Sequence, residues 1–313
     1  MTTSGSFDYS VTRQKIGTRA LKHLGVISAG ETPSDEDMAD VVDTLQSMVK
    51  LWQASGTYLW KKKEGILFLT KGTAKYSLGG SAKATKSYTS TTTSAAASSG
   101  ASTITVASIS GVSNADNIGV VQDDGTIHWT TVNGAPSGST ITLTDVLTDD
   151  VASGNNVYAY TTGIQRPLKV SGLRWHHVVN DQDTPFADMI SREEYFDLPN
   201  KTSQGQSVQA YYDPQLSAGD LYLWPAPNSV DALVKFTFRE PIEDFDSAAN
   251  TPDFPQEWIT ALEWNLAAWL ITDFGVIGET AQRVEKRADL LKNELDGWDT
   301  EDTSIFMEPG YGR

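Results

Sequence analysis

The fold is decided first by residues 34–52, which read SDEDMADVVDTLQSMVKLW. Apolar residues recur at three- and four-residue spacing and hold one face for about four turns, as in an amphipathic helix. Ser34 can cap the first turn, and the acids at 35–37 lie where the helix dipole stabilises negative charge. The stretch therefore predicts a helix that buries one face and ends at Gly56.

A shorter amphipathic helix is predicted just before this one, from Thr12 to Leu24. Ile16 and Leu21 fall on its apolar face, and Gly25 follows directly. We expect the two helices to be antiparallel neighbours joined by a capped loop.

Two further helices are predicted near the end of the chain. Pro255 marks the first turn of one, whose apolar stripe includes Leu262 and Leu266. The other runs from about Thr280 to Leu295. Its stripe keeps three-four spacing and consists of Ala281, Val284, Ala288, Leu291 and Leu295.

Between the two helical pairs the sequence changes to the patterns of β-strands. Residues 66–68 and 76–78 flank a turn at Lys71-Gly72-Thr73 and predict a hairpin. Further extended segments are predicted at 166–179, 208–212, 221–224 and 232–238. The last of these alternates and should be half-buried. Ser191 and Glu194 have the spacing of a capping box and predict a short helix.

Residues 84–163 differ in composition from the segments around them. They contain no Glu and no Arg, one Lys and six Asp. Ser81 to Ser99 is almost entirely Ser, Thr, Ala and Lys, which predicts a linker or a mobile start to a new unit. Short strands are predicted at 102–106, 118–122, 126–132, 140–144 and 156–160, with Asp124-Gly125 as a hairpin turn. This spacing fits an all-β sandwich or barrel.

These patterns predict an α+β fold, with a helical body of about four helices, a small β-sheet region and an inserted all-β module. The expected domains are a discontinuous body at 1–83 and 164–297, the inserted module at 84–163 and a flexible C-terminal arm at 298–313. Insertion at an exposed hairpin tip is a tolerated position.

Composition and charge exclude several classes of function. The chain of 313 residues has no cysteine, so disulfides, thiolate metal sites and cysteine nucleophiles are absent. Its net charge of −16, from 24 basic and 40 acidic residues, disfavours sequence-independent binding to nucleic acid. We expect no signal peptide and no membrane span, because no segment approaches about 20 apolar residues.

No catalytic, cofactor-binding or metal site is predicted. Adjacent histidines on a strand point to opposite faces, so His176 and His177 are expected to be structural. Asp123-Asp124-Gly125 lacks the closing Glu of a calcium loop and is expected to be a turn. Lys61-Lys62-Lys63 is expected to be a solvated or interface patch rather than a DNA contact.

Several short motifs occur in a characteristic order outside the 84–163 module. The first half contains Leu24-Gly25-Val26, Gly30-Glu31-Thr32-Pro33-Ser34, Leu51-Trp52 and Gly56-Thr57-Tyr58-Leu59-Trp60. The second half contains Arg166-Pro167-Leu168, the segments 190–195, 211–214 and 221–225, Pro252 to Pro255, and Asn265-Leu266-Ala267. Together, and by their order, these motifs resemble the head-to-tail adaptor (connector, or tail accessory factor) proteins of short-tailed bacteriophages.

The resemblance implies a non-enzymatic structural subunit of the virion, assembled in the host cytoplasm. It implies a homo-oligomeric ring, expected to number twelve copies, that docks beneath the portal protein, extends the DNA channel and helps to retain packaged DNA. Tail nozzle or tail fibre proteins would bind the opposite face. The 84–163 module has no counterpart in minimal members, so the resemblance assigns it no role.

The resemblance also implies that residues 298–313 form an arm that binds the portal. Four apolar residues of the arm are expected to fill grooves on the portal: Ile305, Phe306, Met307 and Tyr311. Five tryptophans are expected to be interface or core anchors: Trp52, Trp60, Trp224, Trp258 and Trp269.

Two other functions remain open from the sequence. One is a carbohydrate-binding or host-recognition tail protein, in which Trp129, Tyr158 and Tyr160 of the module stack on sugars. The other is an enzyme that acts on capsule or cell wall, for which the acids show no recognisable pairing.

Overall fold

The structure, a computed structural model, describes residue 5 and residues 9–55, 58–80 and 83–300. Helices and strands are both present in this part of the chain, so the mixed α+β class is confirmed. The chain divides into two compact units. One, the helical unit, comprises residues 1–61 and 242–313, and the other, the strand-rich unit, comprises residues 62–241.

The described chain contains five α-helices, and two short 3-10 turns lie at Leu59–Lys61 and Gln256–Trp258. The helices are α1 Arg13–Leu24, α2 Asp35–Ser55, α3 Arg192–Asp197, α4 Ile259–Leu270 and α5 Glu279–Trp298. α3 belongs to the strand-rich unit and the other four to the helical unit.

The predicted ends of α1 are confirmed. The Thr12 hydroxyl accepts a hydrogen bond from the Lys15 backbone N–H at 3.4 Å, and the helix ends at Gly25, whose φ of 76° favours glycine. Gly17 lies where α1 meets α2, since an added Cβ would come 2.7 Å from Val41. The Gly56 predicted to close α2 lies outside the described residues.

The four helices of the helical unit bury one hydrophobic cluster. α4 contributes most completely, with Leu262, Leu266 and Leu270 fully buried. Burial of aliphatic side chains of this size contributes roughly 1.5–3 kcal/mol each. The predicted stripe of α5 is buried only in part, because Val284 and Ala288 are covered while Leu291 is half-exposed.

The strands of the strand-rich unit are short. In chain order they are β1 Lys62–Phe68, β2 Lys75–Leu78, β3 Ala84–Thr85, β4 Thr89–Thr92, β5 Thr103–Thr105, β6 Asn117–Val121, β7 Ile127–Thr131, β8 Thr140–Thr142, β9 Asn156–Tyr160, β10 Lys169–His177, β11 Gln182–Pro185, β12 Asp188–Met189, β13 Gln204–Gly205, β14 Gln209–Pro214, β15 Gly219–Trp224, β16 Ala226–Pro227 and β17 Ala232–Arg239. The capping box at Ser191 that precedes α3 is confirmed.

Two sheets carry most of the strands outside residues 84–163. One has the order β11-β10-β17-β1-β3 and so includes β3, the first strand of residues 84–163. The other has the order β12-β14-β15-β2, while β13 and β16 form a separate pair. The predicted hairpin of β1 with β2 is therefore wrong. β1 pairs over seven residues with β17, whereas β2 pairs with β15. The Gly72 backbone N–H donates a hydrogen bond to the Pro227 carbonyl. The turn at Gly72 leads the chain from β1 in one sheet to β2 in the other.

β17 keeps the predicted alternation from Val234 to Arg239, with Val234, Phe236 and Phe238 buried and the residues between them half-exposed. Val234 lies in the cluster between the two sheets, and Leu233 lies in a second cluster on the opposite face. Leu233 departs from the alternation because side chains from residues 84–163 cover this end of the strand.

Residues 84–163 form a four-stranded sheet of order β4-β9-β6-β7 and a two-stranded sheet of β5 and β8 around a core of aliphatic residues. The Asp124-Gly125 turn joins β6 to β7, as predicted. Ser81 to Ser99, predicted to be a linker or a mobile start to a new unit, contains β3 and β4 in its described part, so it is not a linker. The reason is that β4 finds an antiparallel partner in β9 despite its Ser- and Thr-rich composition.

The residues 84–163 share a core with the sheet that contains β1. Phe68 of β1 lies 5.1 Å from Tyr158 and 5.7 Å from Tyr160, centroid to centroid. Val230 and Leu233 belong to the same cluster. Residues 84–163 therefore belong to the same compact unit as the strands around them, and the chain divides into its two units at 61/62 and 241/242. The predicted bounds at 83/84 and 163/164 stay a prediction. Of the described helices, none has the length and hydropathy needed to cross a membrane.

Candidate functional site

Three of the predicted aromatic anchors meet in one cluster of the helical unit, here called the aromatic cluster. Trp52 comes from α2, Trp60 from the 3-10 turn that follows it and Trp258 from the turn before α4. Tyr58 and Phe254 complete it, and the centroid of Trp258 lies 5.1–6.1 Å from those of the other four rings. Tilted and edge-to-face rings at these distances attract one another. The aromatic cluster therefore fixes the turn that carries Trp60.

A lysine of α5 closes the aromatic cluster. The Lys292 ammonium lies 5.0 Å from the ring centroid of Trp52, 5.3 Å from that of Trp258 and 5.7 Å from that of Tyr58. Its Nζ also donates to both carboxylate oxygens of Asp296 at 2.5 Å. Cation–π attraction to several rings, with the side chain only 19% exposed, attaches the C-terminal half of α5 to the aromatic cluster.

Replacing Lys292 by methionine should lower the free energy of unfolding by about 1–2 kcal/mol. The aliphatic stem can still pack, but the cation–π contacts and the ion pair with Asp296 are lost. Urea titration followed by tryptophan fluorescence measures the change. Lys286→Met is the matched control, since Lys286 is an exposed lysine of the same helix. Equal losses for the two variants would show that the ammonium stabilises nothing in the aromatic cluster.

The end of α5 is tied to the same turn. The Asp299 carboxylate accepts hydrogen bonds from the Leu59 backbone N–H at 3.2 and 3.3 Å. Thr300, the last described residue, follows directly, so the described chain ends at an anchored helix end.

Burial raises the pKa of Tyr58 well above its ordinary value, and the neighbouring carboxylates raise it further, so the phenol is neutral.

The remaining predicted anchors and the predicted arm do not join this site. Trp224 is half-buried in β15, within the strand-rich unit, and Trp269 is 40% exposed on α4. The arm residues Ile305, Phe306, Met307 and Tyr311 lie outside the described residues.

A buried ion pair of the helical unit was missed by the sequence analysis. The Arg19 guanidinium donates to the Glu263 carboxylate at 2.6 Å, and the Glu263 side chain is only 6% exposed. This hydrogen bond raises the pKa of Arg19. His23 stacks on Trp264 beside the pair, with ring centroids 4.0 Å apart. The sequence signal was available, because Glu263 is the only acid in the apolar helix ITALEWNLAAWL.

The histidines and aspartates of the strand-rich unit make structural contacts. His176 is buried, and its Nδ1 lies 2.6 Å from the Asp183 carboxylate. Desolvation opposes the charge of Asp183, but the contacts with His176 and Lys235 outweigh it and lower its pKa. Asp124 accepts from the Thr126 backbone N–H, as a turn residue does. Among the described residues, no group of three or more His, Asp or Glu side chains could hold a metal ion.

Residues 61–63 were expected to form a solvated or interface patch of lysines, and the structure departs from this at one position. Lys62 and Lys63 are exposed, but Lys61 is 4% exposed and pairs with Asp253. A lysine buried to this extent needs a carboxylate partner, which the local sequence does not reveal.

The aromatic residues proposed to stack on sugars are largely buried. Tyr158 and Tyr160 are 0% and 4% exposed and pack on Phe68. The half-buried Trp129 lies over Gly119, where an added Cβ would come 2.7 Å from the indole ring. Tyr158 and Tyr160 therefore serve the shared core, and neither offers a free face to a sugar.

In comparisons with known proteins, no family model matches the chain, and no curated protein matches it.

Proposed function

We propose that the chain is a non-enzymatic structural subunit of a bacteriophage particle, a head-to-tail adaptor that joins the portal to the tail as a ring. The observation that supports the proposal is where three of the motifs shared with the adaptor family lie in the structure. Leu51-Trp52, the segment 56–60 and Pro252 to Pro255 supply or border the rings of the aromatic cluster. Motifs far apart in sequence thus build one feature, at the base of the segment proposed to bind the portal.

In this proposal the body comprises residues 1–83 and 164–297, with its helices in the ring wall. Residues 84–163 are an insertion into that body and lie on the outside of the ring. The shared core around Phe68 supports a fixed position of the insertion on the sheet below it. A rigid attachment suits a module that occupies a defined place on a particle.

The ring closes through heterologous contacts between neighbouring copies, expected to number twelve. Its upper face binds the portal and its lower face binds tail nozzle or tail fibre proteins. The subunit belongs to the virion at the head-to-tail interface and to the host cytoplasm during assembly. A net charge of −16 favours a channel that repels DNA and lets it pass.

Residues 298–313 are the proposed portal-binding arm, with Ile305, Phe306, Met307 and Tyr311 as its apolar contacts. A short segment that orders on binding can fill grooves on a partner at the cost of its own conformational entropy. Its base, Trp298 to Thr300, is held in place by the hydrogen bond between Asp299 and Leu59.

Electron microscopy of the purified chain mixed with its portal tests the proposal. We expect class averages with an added ring coaxial with the portal and one arm density per portal subunit. Portal particles without an added ring, at a saturating concentration of the chain, would overturn the proposal.

A further inference from the structure

α5 carries a second row of side chains beside its buried stripe, here called the α5 flank. Apart from the adjacent Leu290 and Leu291, where the row meets the apolar stripe, it keeps three- and four-residue spacing, so its members lie along one side of the helix. It consists of Arg283, Arg287, Leu290, Leu291, Glu294 and Trp298. All are exposed except the half-buried Leu291, and the two largest apolar exposures are 53% at Leu290 and 64% at Trp298.

The C-terminal half of the α5 flank borders a groove of about 410 Å³. Ala261, Leu291, Leu295 and Trp298 line it with apolar surface, and Glu257, Thr260 and Glu294 complete its lining. An apolar surface with carboxylates beside it favours an occupant that brings apolar side chains and positive charge together.

The α5 flank contains both signs of charge, separated along the helix. Arg283 and Arg287 lie in its N-terminal half, and Glu294, with Glu257 across the groove, lies in its C-terminal half. Within the described part of the chain, none of these four side chains makes an ion pair or a hydrogen bond. One copy thus presents a basic half and an acidic half, and the charges of both halves are unpaired. Two copies can therefore complement each other.

We infer that two copies of the chain pair through the α5 flank, with the two α5 helices antiparallel about a twofold axis between residues 290 and 291. In this register Arg287 faces Glu294 of the second copy, and Leu290 faces Leu291. Arg283 lies over Trp298 of the second copy, where a guanidinium and an indole attract each other. The contact is isologous, so each pairing occurs twice.

The acidic C-terminal segment is the less suitable occupant of the groove. Residues 301–313 contain three acids and one arginine, and they would bring further negative charge to Glu257 and Glu294. The paired helix instead brings Arg287 and Arg283 to that half of the flank. Charge complementarity therefore selects the second copy.

An isologous contact closes with two copies and cannot extend into a ring. The pair is therefore a form of the free chain, separate from the ring of the proposed function, and it covers the base of the proposed arm at Trp298. A 20-residue helix is about 30 Å long, and one helix pair buries less than a standard interface. We expect a weak dimer, populated at tens of micromolar.

Sedimentation equilibrium of the purified full chain between about 5 and 200 μM tests the pairing. The wild-type chain should show a monomer–dimer equilibrium, and Arg287→Glu should raise its dissociation constant at least ~10-fold, because like charges then meet twice. Glu294→Arg should do the same. The double variant, Arg287→Glu with Glu294→Arg, should restore the dimer. Lys286→Glu makes the same charge change outside the α5 flank and should leave the dissociation constant unchanged.

Circular dichroism checks that each variant keeps its helices, which is expected because the substituted side chains are exposed. A wild-type chain that stays monomeric up to 200 μM would overturn the inference. So would two single variants that both weaken the dimer without restoration in the double variant, because the proposed register would then be wrong. None of these measurements uses the portal, so a failure here is separate from a failure of the adaptor proposal.

Discussion

Replacing Arg19 by methionine should lower the free energy of unfolding of the helical unit by about 3 kcal/mol, while Glu263→Gln should cost clearly less. The Glu263 side chain is 6% exposed and the Arg19 side chain is 36% exposed. Without Arg19, a buried carboxylate loses its charged hydrogen-bond partner, which is the costly way to break such a pair. Without the Glu263 charge, the partly exposed Arg19 guanidinium can rotate toward the solvent and be hydrated.

Urea titration of both variants measures the difference between these two losses. Lys22→Met is the matched control, since Lys22 is an exposed cation of the same helix. We expect the control to stay within about 0.5 kcal/mol of the wild type. An Arg19→Met variant as stable as the control would mean that Glu263 does not depend on Arg19, and the ion pair would then contribute little to the helical unit.

Removing residues 301–313 should weaken binding to the portal at least ~100-fold and leave the fold intact. The segment carries all four proposed apolar contacts, and losing even two anchors of about 1.4 kcal/mol each reduces affinity by this much. Stability should be retained because Lys292 and Asp299 attach the end of α5 to Trp52 and Leu59, which the truncation leaves in place. Biolayer interferometry on immobilised portal measures the affinity, and urea titration measures the stability.

The full-length chain offers a sharper version of the same experiment. Serine at Ile305, Phe306 and Met307 should reproduce most of the loss, whereas alanine at Thr303 and Ser304, in the same segment, should leave binding within about threefold of the wild type. A truncated chain that binds the portal with unchanged affinity would remove the arm from the proposal and place the contact on the folded units.

The helices could be predicted closely because their signals are local. The cap at Thr12, the stop at Gly25 and the box at Ser191 each involve residues within one turn of the helix end. A three-four apolar stripe also stays visible in sequence whatever lies across from it. The partial burial of α5 could not be predicted, since it depends on what covers the helix.

Strand pairing was the part that the sequence could not decide. The β1–β17 ladder joins Lys62 to Arg239, and no local pattern indicates a partner at that separation. The turn at Gly72 looked like a hairpin because hairpins and sheet-to-sheet crossings use the same turn residues. The burial of both Leu233 and Val234 likewise follows from two covering layers.

Composition located residues 84–163 but not their contacts. Phe68 and Leu233, outside the segment, need Tyr158 and Tyr160 to cover them. Deleting residues 84–163 would expose this core, so deletion does not test the function of the segment by itself. Substitutions on its exposed surface, such as at Val146, are the better probe.

The candidate site was predictable in three of its five rings and not in its charges. Trp52, Trp60 and Trp258 were expected to be anchors because large rings commonly serve in cores or interfaces, whereas Tyr58 and Phe254 were not predicted. The partners Lys292 and Asp299 stand in a charged helix whose other ions are exposed, so nothing local distinguishes them. Their roles depend on contacts with residues distant in sequence, Trp52 for Lys292 and Leu59 for Asp299.

Mass photometry of the chain mixed with purified portal tests the adaptor proposal. At nanomolar concentration we expect a portal-sized particle whose mass increases, on addition of the chain, by a fixed multiple of 34.0 kDa, expected to be twelve. The increase should saturate and should disappear with the chain that ends at Thr300. A portal particle of unchanged mass, with the chain staying apart from it at saturating concentration, would contradict the adaptor proposal.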